Sequence, residues 1–209
     1  PRARAEKPKV SAFTSARIDK IVALQPDLVL GFSELQADIA ASLIRAGVPV
    51  AVFNQRSVAQ IFDMLAQLAA LVGAVDRGHA LLLQMRERLT QMQQAVQAQL
   101  DQGRRRPRVY FEEWDDPLIS GIRWVAELVR IAGGDDIFPE RAAESLAKAR
   151  ILEDPGEVIR RAPDIILGSW CGKKFRPQKV AARPGWSAIP AVRDGELHEI
   201  KSPIILQPG

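Results

Sequence analysis

The chain has 209 residues, 47% of them hydrophobic and 26% charged, and a formal net charge of +4. That length admits one large domain or two lobes of roughly 100 residues each, and no apolar run approaches the roughly 18 residues of a membrane span. Basic residues are mostly interleaved with acids, which argues against nucleic acid as a partner. A single cysteine, Cys171, excludes an internal disulfide and any cysteine-built metal site, and the two histidines, His79 and His198, make a poor ligand set. The opening segment Pro1 to Lys9 is polar and carries no apolar signal-peptide core.

The first clear element runs from Ile18 to Gly31. A short amphipathic stretch ends at Pro26-Asp27, a pair that helices avoid in their interior. Leu28-Val29-Leu30-Gly31 follows, an apolar β-branched run that predicts a strand buried on both faces. From Ser57 to about Gln102 the sequence is almost wholly helix-forming. Val58, Ile61, Phe62, Leu65, Leu68, Ala69 and Val72 recur at three- and four-residue steps. Gly73 is placed to stop this helix and Asp76 to cap the next, which continues through Leu81, Leu82, Met85, Leu89, Met92, Val96 and Leu100 to Gly103. The second helix spans about 26 residues, or about 40 Å. The basic run Arg104 to Arg106, with Arg108 beyond it, reads as a solvated helix end.

A strand is predicted at Arg108 to Glu112, leading into Glu113-Trp114-Asp115-Asp116-Pro117-Leu118-Ile119-Ser120-Gly121. A helix follows from Trp124 to Ala132, closed by Gly133-Gly134. Pro155 to Gly168 then repeats the organisation of residues 18–31 at a constant offset of 137 residues, with Pro163-Asp164 for Pro26-Asp27 and Ile165-Ile166-Leu167-Gly168 for the strand. Two such copies in two halves predict paired α/β lobes, and in open α/β sheets ligands bind beyond the carboxyl ends of the strands. Phe32-Ser33-Glu34 follows the first strand and Ser169-Trp170-Cys171-Gly172-Lys173-Lys174-Phe175 the second. An indole, a thiol and two ammonium groups so close together exceed the needs of a turn. Ser169, Trp170, Cys171, Lys173 and Lys174 are therefore expected to line a cleft, with the lysines holding a ligand phosphate or carboxylate and favouring a Cys171 thiolate.

The strand with its acidic and aromatic end, Pro117-Leu118-Ile119-Ser120-Gly121, the helix, Ala132-Gly133-Gly134-Asp135-Asp136-Ile137-Phe138 and the first-lobe segment Ile21 to Leu30 together resemble the substrate-binding components of ABC importers for vitamin B12 and iron chelates. The matching motifs lie between about Asp19 and Pro203. The resemblance implies an α/β protein of class III type, with two Rossmann-like lobes joined by a long backbone helix. It divides the chain into a partial N-terminal lobe at 1–75, a linking helix at 76–106 and a C-terminal lobe at 107–209. By comparison with the family, the chain looks truncated at both ends.

The same resemblance implies a monomeric, non-enzymatic protein, periplasmic or at the cell surface. It needs no cofactor and carries cobalamin, an iron–siderophore, haem or another small-molecule metal chelate between its lobes to an ABC permease. Phe32 stands where the family has a pocket tryptophan, and Trp114 beside Glu113 offers a flat wall at a strand end. Trp124 and Trp186 are expected in the core. A soft Cys171 thiolate is expected to be able to ligate a ligand's cobalt or iron. Glu199, three residues before Ser202-Pro203, matches a carboxylate that docks to permease arginines, with Asp38 its first-lobe counterpart and Glu34 the fallback. Two alternatives stand beside this reading: a cytosolic cobalamin- or metallocofactor-handling protein of the same fold, and an enzyme or redox protein dependent on Cys171.

Overall fold

A computed structural model describes residues 6–207. The chain divides into two compact units, Pro1–Gln55 and Arg56–Gly209. In the first, a small hairpin of β1 (Ser11–Ala12) and β2 (Ser15–Ala16) precedes α1 (Ile18–Ala23), β3 (Val29–Phe32), α2 (Ala37–Arg45) and β4 (Val50–Phe53). β3 and β4 are parallel, with Val29 beside Val50 and Phe32 beside Phe53. Val29 and Val50 pack on the buried Ile21, Leu43 and Val48. Successive strand residues point to opposite faces, so only one face is covered and Leu30 is 47% exposed. The expectation of a strand buried on both faces fails here for that reason.

The second unit opens with α3 (Val58–Leu71) and the 27-residue α4 (Val75–Asp101). The helix that the sequence set apart as a link thus groups with the second unit. The Ser57 hydroxyl caps α3 by accepting from the Gln60 amide, and the Glu127 carboxylate accepts from the Val58 amide at 2.7 Å. Gly73 separates the two helices at φ +66°. Asp76 does not cap α4. The cap position is Ala74, and Asp76 lies in the first turn, where a carboxylate meets the positive end of the helix dipole. α3 and α4 approach closely at Gly78, where an added Cβ would lie 2.3 Å from the Ala69 Cβ.

The arginine run falls past the end of α4 and is not a free helix terminus. Arg105 makes a two-pronged contact with Asp164, and Arg106 donates to the Arg130 carbonyl.

The rest of the unit is β5 (Arg108–Asp115), β6 (Leu118–Ser120), α5 (Arg123–Ile131), β7 (Asp135–Asp136), α6 (Pro139–Ala142), α7 (Gly156–Arg161), β8 (Ile165–Gly168), α8 (Pro177–Ala181), α9 (Pro190–Arg193), β9 (Leu197–Glu199) and α10 (Ser202–Ile205). β5 is the centre of the sheet. One edge pairs in parallel with β8, which continues in parallel to β9, and the other meets β7 at its start and antiparallel β6 at its end. The register aligns Glu112, Gly168 and Glu199 in one row at the carboxyl ends of the three parallel strands.

Both copies of the sequence repeat share a backbone feature. Gln25 and Ala162, each immediately before its Pro-Asp, take positive φ angles of 47° and 42°. A left-handed residue ends the helix and lets the chain turn into the strand, and the proline that follows cannot continue a helix. Trp124 and Trp186 are buried, in keeping with their expected core placement.

Two outcomes follow from this architecture. A Cβ on Gly168 would lie 1.9 Å from the Phe175 Cδ2, and the ring is fully enclosed. Gly168→Ala is expected to lose about 1–3 kcal/mol in denaturant unfolding, and an unchanged midpoint would contradict the packing. The Arg105 guanidinium and the Arg108 amide hold the Asp164 carboxyl at about 2, below its ordinary 3.8. A depressed folded-state value contributes stability that is complete above pH 4 and lost as pH falls through about 2. Asp164→Asn is expected to lose about 1–2 kcal/mol near neutral pH, a discounted figure because Arg105 is 70% exposed. Wild-type and variant unfolding curves should converge near pH 2.

Candidate ligand-binding site

β5 ends in three carboxylates, Glu112, Glu113 and Asp115, and each is claimed by cations from later in the chain. Glu112 is fully buried and receives both Arg183 guanidinium arms, at 2.5 and 2.9 Å, and the Trp170 indole N–H at 2.9 Å. Glu113 receives Arg150 at 2.6 and 3.2 Å, and Arg150 is itself buried. The Asp115 carboxylate is enclosed, yet it accepts from Lys173 and from Lys179, the latter at 2.8 Å. Neighbouring residues reach different partners because strand side chains alternate faces, and a register shift between Glu112 and Trp114 re-aims those beyond it.

Burial pushes the Glu112 carboxyl up, and the bonds from Arg183 and Trp170 work against that rise. Burial, with the Glu112 charge second, pushes the Tyr110 phenol well above its ordinary range. For Asp115 burial acts in the same sense, but Lys173 and Lys179 outweigh it and hold the carboxyl below its ordinary value. At neutral pH the Tyr110 phenol is therefore uncharged, whereas the Asp115 carboxylate is charged and paired with its two lysines.

Over this ion-paired base stand the aromatic rings. Trp114 is half-buried, packs against the core cluster and donates its indole N–H to the Asp116 carbonyl at 2.8 Å. The Lys173 ammonium lies 4.0 Å from the Trp114 ring centroid and 5.2 Å from that of Trp170. Trp170 is buried, edge-on to Phe175 with centroids 5.0 Å apart. Ser169 is buried as well.

Of the residues selected from sequence, the structure therefore brings together Trp114, Trp170 and Lys173. Trp170 and Ser169 back the loop instead of forming its exposed surface, and Glu113 is engaged by Arg150. The Lys173 charge is bound to Asp115 instead of standing free for an anion. Cys171 and Lys174 are exposed on the loop. Glu199 is exposed at the end of β9, and its carboxylate accepts from the Phe175 amide at 3.2 Å. In the first unit Phe32 is half-buried with its ring 6.3 Å from that of Phe13, and Asp38 is exposed in the first turn of α2. Among the described residues no group of three or more His, Cys, Asp and Glu side chains is placed to hold a metal ion. Asp115, Arg150, Lys179 and Arg183 were not selected from sequence. Their pairings span 37–71 residues, and the one available signal was the unusual density of acids at a strand end.

An α/β sheet with a chemically dense surface beyond its parallel strands is the setting in which the wider likeness can be judged. The sequence matches the periplasmic binding protein family over residues 1–204. The chain belongs to that family.

The vitamin B12-binding protein of Vibrio parahaemolyticus is 24% identical over 212 residues, which cover all of this chain and 72% of that protein. Among solved structures, the periplasmic haem-binding protein BhuT in complex with two haems superposes with a TM-score of 0.82 at 23% identity, over all of this chain and 79% of its own. The periplasmic vitamin B12-binding protein BtuF of Vibrio cholerae gives 0.74 at 18%, over all of this chain and 78% of its own. The periplasmic binding proteins are substrate-binding transport proteins, so the chain is a binder and not an enzyme.

In this periplasmic binding protein the buried Glu112–Arg183 pair fixes the segments behind Trp170. Removing one partner of a buried pair leaves an uncompensated charge. Arg183→Met is expected to lose about 3–5 kcal/mol in equilibrium unfolding, and Glu112→Gln added to it should recover part of the loss. A double variant less stable than Arg183→Met alone would show that the charge is not the origin.

Proposed function

We propose that this protein captures a metal chelate, cobalamin or a related compound such as haem or a ferric siderophore, outside the cytoplasm and delivers it to an ABC permease. The observation that carries this reading is Trp114. A large aromatic at the carboxyl end of the central strand, only half-buried and fixed through its indole N–H, offers a rigid flat wall of the kind a macrocycle stacks on. Lys174, next to Lys173 on the loop after β8, is exposed and, among the described residues, has no carboxylate partner, so its charge is available to an acidic group on the ligand. Cys171, also exposed, is the soft donor on the same loop. The membership of the family and the ligands named for its relatives support the class of solute. Delivery would use exposed carboxylates, Glu199 in the second unit and Asp38 in the first.

Titration of the 209-residue protein with cyanocobalamin, haemin and a ferric siderophore, followed by tryptophan fluorescence, tests the reading. Saturable quenching by at least one of them is expected, with affinity at least about tenfold weaker in Trp114→Ala, the scale of a lost aromatic anchor. No saturable binding by any of the three would sink it.

A further inference from the structure

The face of Trp114 that a flat ligand needs is already occupied by the protein's own ammonium group. Lys173 lies 4.0 Å over the ring, while the rest of the indole packs on the core. The lysine side chain that covers the ring is itself 39% exposed. We infer that Lys173 is a specificity-determining latch, released from Trp114 by a carboxylate on the incoming chelate, so that a flat macrocycle bearing acidic substituents is admitted in preference to a neutral one. This rests on the reading of Trp114 as the ligand wall.

Release of Lys173 is an exchange of partners. In place, the ammonium has the Asp115 carboxylate and two indole faces as partners, interactions of the charge-assisted and cation–π kinds. A neutral ring that stacks on Trp114 must drive the ammonium into water with no replacement. A ring with a peripheral carboxylate supplies the replacement itself. The partner left behind keeps a counter-ion: Lys179 remains on Asp115 Oδ2 at 2.8 Å, and its side chain is more exposed than that of Lys173. Enclosed Asp115 therefore keeps a counter-ion in both positions of the latch, and the exchange leaves no buried unpaired charge. One carboxylate held by two lysines is what allows one of the two to leave. Glu112 and Glu113 cannot serve in the same way, since each has a single arginine as its counter-ion.

Two pairs of probes separate acid from ring: haemin with its dimethyl ester, and cobyrinate with cobinamide. Each is titrated against wild type, Lys173→Met and Trp114→Ala. Lys173→Met keeps most of the apolar stem and leaves Asp115 paired with Lys179, so the fold is preserved. Wild type is expected to bind the acidic member of a pair about tenfold or more tighter than the neutral one, the scale of one charge-assisted hydrogen bond at a half-exposed site. In Lys173→Met the preference should fall to about unity because the neutral probe binds tighter than it does to wild type. A preference unchanged in Lys173→Met, or weaker binding of the neutral probe, overturns the latch. If a chelate binds and depends on Trp114 but not on Lys173, the latch falls and capture stands. If neither these probes nor cyanocobalamin or a ferric siderophore binds, the capture reading falls and the latch with it.

Discussion

The second unit is organised around a carboxylate taken out of water at the centre of its sheet. Glu112 is fully enclosed on β5 and is tolerable there only because Arg183 and Trp170 reach it from 71 and 58 residues away. That requirement ties together three segments that have no local reason to meet: the end of the central strand, the loop after β8 and the stretch beyond α8. Trp170 cannot leave without stranding Glu112. Phe175, edge-on to Trp170, is held with it, and the exposed loop residues between them inherit their placement. A buried ion pair is weak evidence for net stability, since an apolar replacement of equal volume often does as well. Its use here is positional.

The glycine in the row Glu112, Gly168, Glu199 is the complement of that pair. The loop after β8 folds back so that the Phe175 ring sits where a side chain on Gly168 would be. The Phe175 amide then donates to Glu199 on the next strand. Packing and polar satisfaction thus place the same residue, and neither would be sufficient alone. The exposed Glu199 carboxylate is bonded to the loop that carries Lys173 and Lys174, so a group that binds Glu199 from outside acts on the geometry of that loop.

Elements with short-range causes were legible in the sequence. The two helices between the repeats follow from three- and four-residue apolar steps and positive-φ glycines. The repeat itself extends to the left-handed residues Gln25 and Ala162, which the Pro-Asp that follows each of them makes intelligible. Covering was less legible: Leu28 to Gly31 and Ile165 to Gly168 look alike, but Leu30 is 47% exposed while its counterpart Leu167 is half-buried. Ion pairing was not legible at all. Arg150, Lys179 and Arg183 lie in unremarkable polar contexts, and only the folded sheet shows that each answers a particular acid of β5. The arginine run after α4 misled for the same reason, because its partner Asp164 is 59 residues beyond Arg105.

Trp114 and Trp170 show what decides between a half-open ring and a buried support. Trp114 lies at the end of β5 and Trp170 just after β8, both carry a neighbouring lysine within cation–π distance, and sequence reasoning put both on the ligand surface. Their indole N–H groups separate them. That of Trp170 is spent on a buried carboxylate, which draws the ring inward against Phe175. That of Trp114 goes to the nearby Asp116 carbonyl beyond the register shift, which fixes the ring at the surface without enclosing it. Position at a strand end thus does not by itself leave an aromatic ring open to solvent. The partner of the polar edge determines which way the apolar face is turned.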